Sequence, residues 1–186
     1  MAVRLAERFW EEGKREEARA TLAKCLESSP TSRVVHLHLA KYLIDENARD
    51  NYDGIRSHLR ASFTEGDTNY DAQFWYARHE FLYGDRAISE RIFNHLSKAR
   101  VSPEFRDKSR APIVDSSGVV VRFEGQIVGI RDAYCFARVQ DLNTNVFIHH
   151  SQFDDSNWSR IHINQRLRLS VRFNFRGSVG TEVEVV

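Results

Sequence analysis

From Ala2 to about Ala99 apolar side chains recur at three and four positions, and no proline interrupts the chain between Pro30 and Pro103. That recurrence is the 3.6-residue period of amphipathic helices. Beyond Ser117 the period drops to two. In "RLRLSVRFNF" (Arg166 to Phe175), Leu167, Leu169, Val171, Phe173 and Phe175 alternate with Arg166, Arg168, Ser170, Arg172 and Asn174. Residues two apart share one face of a strand, so the apolar set faces a core and the polar set, continued by Arg176, faces water. Between the two patterns lies "ARVSPEFRDKSRAPIVDSSG", with two prolines and a Ser-Ser-Gly ending, which reads as a connection. The pattern predicts a multidomain chain, α then β: helices over 1–100, a linker over 101–117, and strands over 118–186.

The helical part carries a spaced repetition. "FWEEGKREEARATLAKCLESSP" places Phe9, Gly13, Ala18, Leu22, Cys25 and Pro30 at intervals suiting two antiparallel helices. Small residues let the helices approach, and the turn needs a residue permissive at positive φ. A second copy has Leu39, Ala40 and Leu43, then Tyr52, Ile55 and Leu59; a third has Ala77, Gly84, Ser89, Phe93 and Leu96. Thr68 and Asp71 read as a capping box opening the third copy. At these positions residues 2–99 resemble three degenerate tetratricopeptide repeats. The resemblance implies antiparallel helical hairpins presenting a concave surface to a protein or peptide partner. Trp10, Phe74, Trp75 and Tyr76 either line such a groove or fill the core between helices. The first helix is short and begins almost at Met1 without a capping residue, which raises the expectation that the chain is the C-terminal part of a longer protein.

In the strand part, "YCFARV" puts Tyr134, Phe136 and Arg138 on one face and Cys135, Ala137 and Val139 on the other. "VFIHH" puts Val146 and Ile148 opposite Phe147 and His149. An unpaired guanidinium is expensive to bury, so Arg138 marks its face as the wet one, and His149 marks the second strand similarly. Three rings, Tyr134, Phe136 and Phe147, are then left outside beside Arg138 and His149. Exposed rings next to cations form a stacking surface for unpaired bases.

Those residues carry a second resemblance. "AYCFARV" followed by "NVFIHHSQF" is similar to the paired motifs of a cold-shock domain, in which an aromatic-x-aromatic strand precedes Val-Phe-Val-His-x-Ser. "GQIVGI" stands where that family's first strand runs. The resemblance covers Gly125 to Val186 and implies a five-stranded antiparallel barrel of the oligonucleotide-binding type, with single-stranded RNA or DNA as ligand. It implies nucleic-acid-binding roles for Tyr134, Phe136, Arg138, Phe147, His149 and His150. The family's tryptophan near Gly129 is missing, and Asp132-Ala133 replaces its Lys-Gly, so weaker binding is expected. The arginines of "RLRLSVRFNFR" could track phosphates, or could serve only to keep an exposed strand soluble. Lys98, Arg100, Arg106, Lys108 and Arg110 pose the same choice for the linker.

Composition narrows the picture further. Lysine and arginine number 27 against 26 acids, a formal net charge of +1. That excludes a protein held to nucleic acid by bulk charge, though not a local patch. No apolar run nears the roughly 20 residues needed to span a bilayer, and the acid-rich N-terminus argues against a transit peptide. Cys25 and Cys135 read as two reduced, separate thiols, which suggests a cytoplasmic chain. No phosphate loop, nucleophile elbow or zinc motif occurs. His36 and His38 lie roughly 200° apart on a helix, and His149 and His150 point to opposite sides of a strand, so neither pair should share a metal. The acids of "FDDSNW" (Phe153 to Trp158) read as solvated. The expectation is a non-catalytic module without a cofactor, binding single-stranded nucleic acid through the barrel and a protein through the repeats. Two alternatives stand beside it: a scaffold whose barrel has lost nucleic-acid binding, and an accessory region of a nucleic-acid-directed ATPase or nuclease.

Overall fold

A computed structural model describes residues 2–186, which fall into two compact units, one running through Ile92 and the other from Phe93 to Val186. The first unit is helical: α1 (Ala2–Glu11), α2 (Arg15–Ser28), α3 (Arg33–Asn47), α4 (Tyr52–Ala61), α5 (Tyr70–Tyr83) and most of α6 (Arg86–Leu96). Helices α1 and α2 pack as one hairpin and α3 and α4 as the next, with α2 against α3 and α4 against α5. The α1–α2 turn closes at Gly13, whose φ of +76° favours glycine. Ala6, Ala18, Leu22, Val35, Leu39 and Tyr42 form the core of these hairpins, with Phe9, Trp10, Cys25 and Leu26 packed against it. Phe74 and Tyr76 are core residues, whereas Trp10 and Trp75 are only half-buried. Ser89 of α6 is buried and donates to the Ala77 carbonyl at 2.8 Å, which ties α6 to α5.

Two local expectations fail in this unit. The Thr68–Asp71 capping box does not form: Asn69 is the N-cap of α5 and makes no side-chain cap bond. Instead the Asp67 carboxylate accepts the backbone N–H groups of Thr64 and Asn69 and an amide hydrogen of Gln73, and so satisfies the loop's donors itself. Gly84 does stand at a helix end, but its φ is −130°, so conformational freedom is not the reason for glycine. A Cβ there would collide with the Glu80 carboxylate and come within 2.8 Å of the Tyr52 hydroxyl. Buried Glu80 occupies that space because it receives Arg56 Nε at 2.7 Å and the Asp85 N–H at 2.8 Å.

The second unit is built on a closed barrel of β1 (Arg122–Ile130), β2 (Tyr134–Val139), β3 (Thr144–His149), β4 (Arg166–Asn174) and β5 (Gly177–Val185), in the order β1-β2-β3-β5-β4. The inward set is as the alternation requires: Ile127, Cys135, Ala137, Val139, Val146, Ile148, Leu167, Leu169, Val171, Phe173 and Phe175 have no exposed surface. The barrel is not purely antiparallel, because β3 and β5 pair in parallel. Parity demands this. Around a closed ring of five strands, directions cannot alternate at every step, so one neighbouring pair must run the same way. The seam is tight: a Cβ at Gly180 of β5 would meet Ile148 at 2.7 Å and Leu169 at 2.8 Å, so any side chain there must push them aside. This topology is consistent with an oligonucleotide-binding-like fold.

The stretch before β1 lies along the barrel. A short helix, α7 (Pro103–Asp107), opens at Ser102, whose hydroxyl accepts the Phe105 N–H. Arg110 exchanges backbone bonds with Phe173, and the Ile113 N–H donates to the Val171 carbonyl. Phe93 stacks on Phe173 at 6.1 Å, and Phe105 meets Phe175 edge-on at 5.5 Å. Among the described residues no helix is long and apolar enough to cross a membrane.

Candidate nucleic-acid interface

Strands β2 and β3 pair in register, Tyr134 opposite His149, Phe136 opposite Phe147 and Arg138 opposite Asn145. Because Cys135, Ala137, Val146 and Ile148 are locked inside, their neighbours must project outward. The three rings form one cluster on that outer face. Tyr134 lies 5.6 Å from Phe136 and 5.2 Å from Phe147, and Phe136 lies 6.0 Å from Phe147. Phe136 is the most open, at 38% exposed; Tyr134 and Phe147 are half-buried by their neighbours.

Across β1, Gly129 pairs with Phe136 and presents no side chain, with open space where a Cβ would stand. One flank of the Phe136 ring is therefore bare. Arg138 continues the same face, and its guanidinium is held by the side-chain oxygen of Asn143. At the other end the His149 Nδ1 accepts the Ser151 N–H at 3.3 Å and contacts the Ser151 hydroxyl at 2.8 Å. An acceptor Nδ1 puts the neutral ring's hydrogen on Nε2, where it can be donated to a ligand. Cys135 plays no part: burial inside the barrel pushes its thiol up to about 11.

His149 and His150 were expected on opposite sides of a strand, but their rings lie 4.4 Å apart. The reason is that β3 ends at His149 and a one-turn 3-10 helix begins at His150, so strand alternation stops there. Among the described residues no group of three or more His, Cys, Asp or Glu side chains stands together. From His150 the rings continue to Trp158 at 5.9 Å, itself 5.4 Å from Phe153. Trp158 ends the short helix α8 (Asp155–Trp158) and extends the aromatic surface from strand into loop.

No protein-family model and no curated protein matches this chain. The site's character therefore rests on its geometry and charges.

Most of the outward arginines of β4 and of the turn after it are held in ion pairs. Arg166 pairs with Glu124 at 3.0 Å, Arg172 with Glu182 at 3.2 Å and Arg176 with Asp107 at 2.7 Å. Arg168 stands in register between Glu124 on β1 and Glu184 on β5. Ser170 and Asn174, though outward, are buried under this network: Ser170 donates to Glu182 at 2.7 Å, and Asn174 contacts the Asp107 carbonyl. In the stretch before the barrel, Arg106 donates to the carbonyls of Ala99 and Val101. Arg110 donates to the Phe105 carbonyl and lies over the Phe105 and Phe175 rings. Those two cations serve local structure.

Proposed function

We propose that this chain is a non-catalytic binding protein whose barrel, of the cold-shock type, takes single-stranded nucleic acid, RNA foremost, while tetratricopeptide-like hairpins dock a protein partner. Tyr134, Phe136 and Phe147 stack successive bases, and His149 and His150 stack or donate hydrogen bonds to base edges. Trp158 receives the base that leaves the strand surface, and Arg138 meets a phosphate or a base plane. The observation that carries the reading is the three-ring cluster on the wet side of two strands, each ring flanked by residues wholly inside the barrel. A protein has little reason to leave three mutually touching rings outside unless something flat covers them.

The test is a fluorescence-anisotropy titration of the full chain into labelled eight-nucleotide oligo-U and oligo-dT at low salt. A saturable rise is expected for both. A flat signal with both oligonucleotides overturns the reading and favours a scaffold whose barrel engages protein instead. That second reading draws support from Asp132, two residues before Tyr134 in the sequence, and from the ion pairs of Arg166, Arg172 and Arg176.

A further inference from the structure

A groove of about 530 Å³ opens on the helical unit, within the range of about 300–1,000 Å³ typical of ligand sites. Its floor is Leu26, Leu39 and Leu43, and the exposed Ala20 and Ala23 of α2 are too small to fill it. Glu16, Arg19 and His58 supply its polar groups.

The charges there have one sense. Arg19 is neutralised by Glu46 at 3.1 Å, while the Glu16 carboxylate on exposed α2 has no cationic partner among the described residues. The hydrogen-bond polarity at His58 follows from a chain of contacts. The Pro30 carbonyl can only accept, so the His36 Nε2, 2.9 Å from it, carries the hydrogen. With a single hydrogen on the His36 ring its Nδ1 is bare, and the His58 Nδ1, 2.8 Å away, donates to it. What remains on His58 is Nε2 as an acceptor without a partner among the described residues. Burial, with His36 adding to it, holds the His58 imidazole below its ordinary value and so keeps the ring in this acceptor state. An apolar trough edged by a carboxylate and an acceptor imidazole asks for apolar side chains accompanied by a donor cation.

We infer that this groove between α2, α3 and α4 docks a short segment of another protein carrying bulky apolar side chains next to a lysine or arginine. The inference rests on the protein-docking reading of the helical unit and names the place and the chemistry. The apolar residues fill the trough over Ala20 and Ala23, and the cation meets Glu16 and the His58 Nε2.

The experiment selects binders to the full chain from a random 12-residue peptide display library. Enriched peptides are then titrated against wild type, Ala23→Trp, which fills the trough, and Glu16→Lys, which reverses its charge. Both positions are exposed on α2, and the helical circular-dichroism signal and thermal unfolding of each variant serve as the control on folding. The expected result is peptides with paired apolar residues and a lysine or arginine, weakened at least tenfold by either substitution. Changing the peptide's cation to glutamate should restore binding to Glu16→Lys. Peptides that bind wild type and both variants equally would overturn this groove while leaving protein docking in place. Enrichment of acidic peptides would overturn the assigned chemistry. Failure to enrich any peptide would overturn the docking reading and the inference with it.

Discussion

Raising the salt concentration should weaken oligonucleotide binding only slightly. Each phosphate neutralised on a single strand contributes a slope of about −0.7 to log K against log salt. The cations near the rings are few. Arg138 shares the ring face, and Arg131, in the β1–β2 turn, donates its backbone N–H to the Tyr134 carbonyl at 2.8 Å. Two contacts give a slope near −1.4, so affinity should fall about sevenfold between 50 and 200 mM salt. If Arg166, Arg168, Arg172 and Arg176 also met phosphates, six contacts would give a slope near −4.2 and a fall of about 300-fold. The ion pairs to Glu124, Glu182 and Asp107 predict the smaller value. The assay is oligo-U anisotropy at four salt concentrations, repeated with Arg138→Ala, which should flatten the slope by about 0.7. A slope steeper than about −3 in the wild type would refute the view that stacking rather than phosphate contact holds the ligand.

Acid should destabilise the helical unit. Burial holds the imidazoles of His38, His58 and His79 below their ordinary value, so the unfolded chain takes up protons first. Stability present above about pH 6.5 is then lost as pH falls below it, and a Tm that stays constant from pH 7.5 to 5 would contradict this. Gly180→Val should open the β3–β5 seam at a cost of about 1–3 kcal/mol, or roughly 4–8 °C of Tm for each kcal/mol; an unchanged Tm would show that Ile148 and Leu169 can give way. Gly129→Trp should tighten oligo-U binding, since a fourth ring would cover the bare flank of Phe136 without a clash. Equal or weaker affinity would place the ligand's path elsewhere.

Much of the barrel was legible because one costly residue per strand set its orientation. Arg138 cannot be buried unpaired, and once it is outside, alternation carries Tyr134 and Phe136 out with it and Cys135, Ala137 and Val139 in. The helical hairpins were legible from small residues such as Ala18, which is wholly buried. The parallel β3–β5 pair was not, since a two-residue period says which side a residue faces and nothing about its partner strand's direction. The placement of His150 was missed where regular structure ends and alternation ceases to apply. Trp158 carries a signal of its own in the sequence: it is a tryptophan in a polar, acidic loop, and so large a ring seldom stays without neighbours. The pairing of Arg166 and Arg176 depends on Glu124 and Asp107, which lie far away in sequence, whereas Arg172 meets Glu182 across the β4–β5 hairpin.

The most direct test of the central claim is oligo-U binding by the Tyr134→Ala, Phe147→Ala double variant. Stacking is worth about 1–3 kcal/mol per base, so losing two rings should weaken binding by at least about 30-fold. Both side chains sit outside the barrel's interior, so thermal unfolding should remain cooperative. Oligo-U affinity equal to that of the wild type, in a variant that still folds, would contradict the claim.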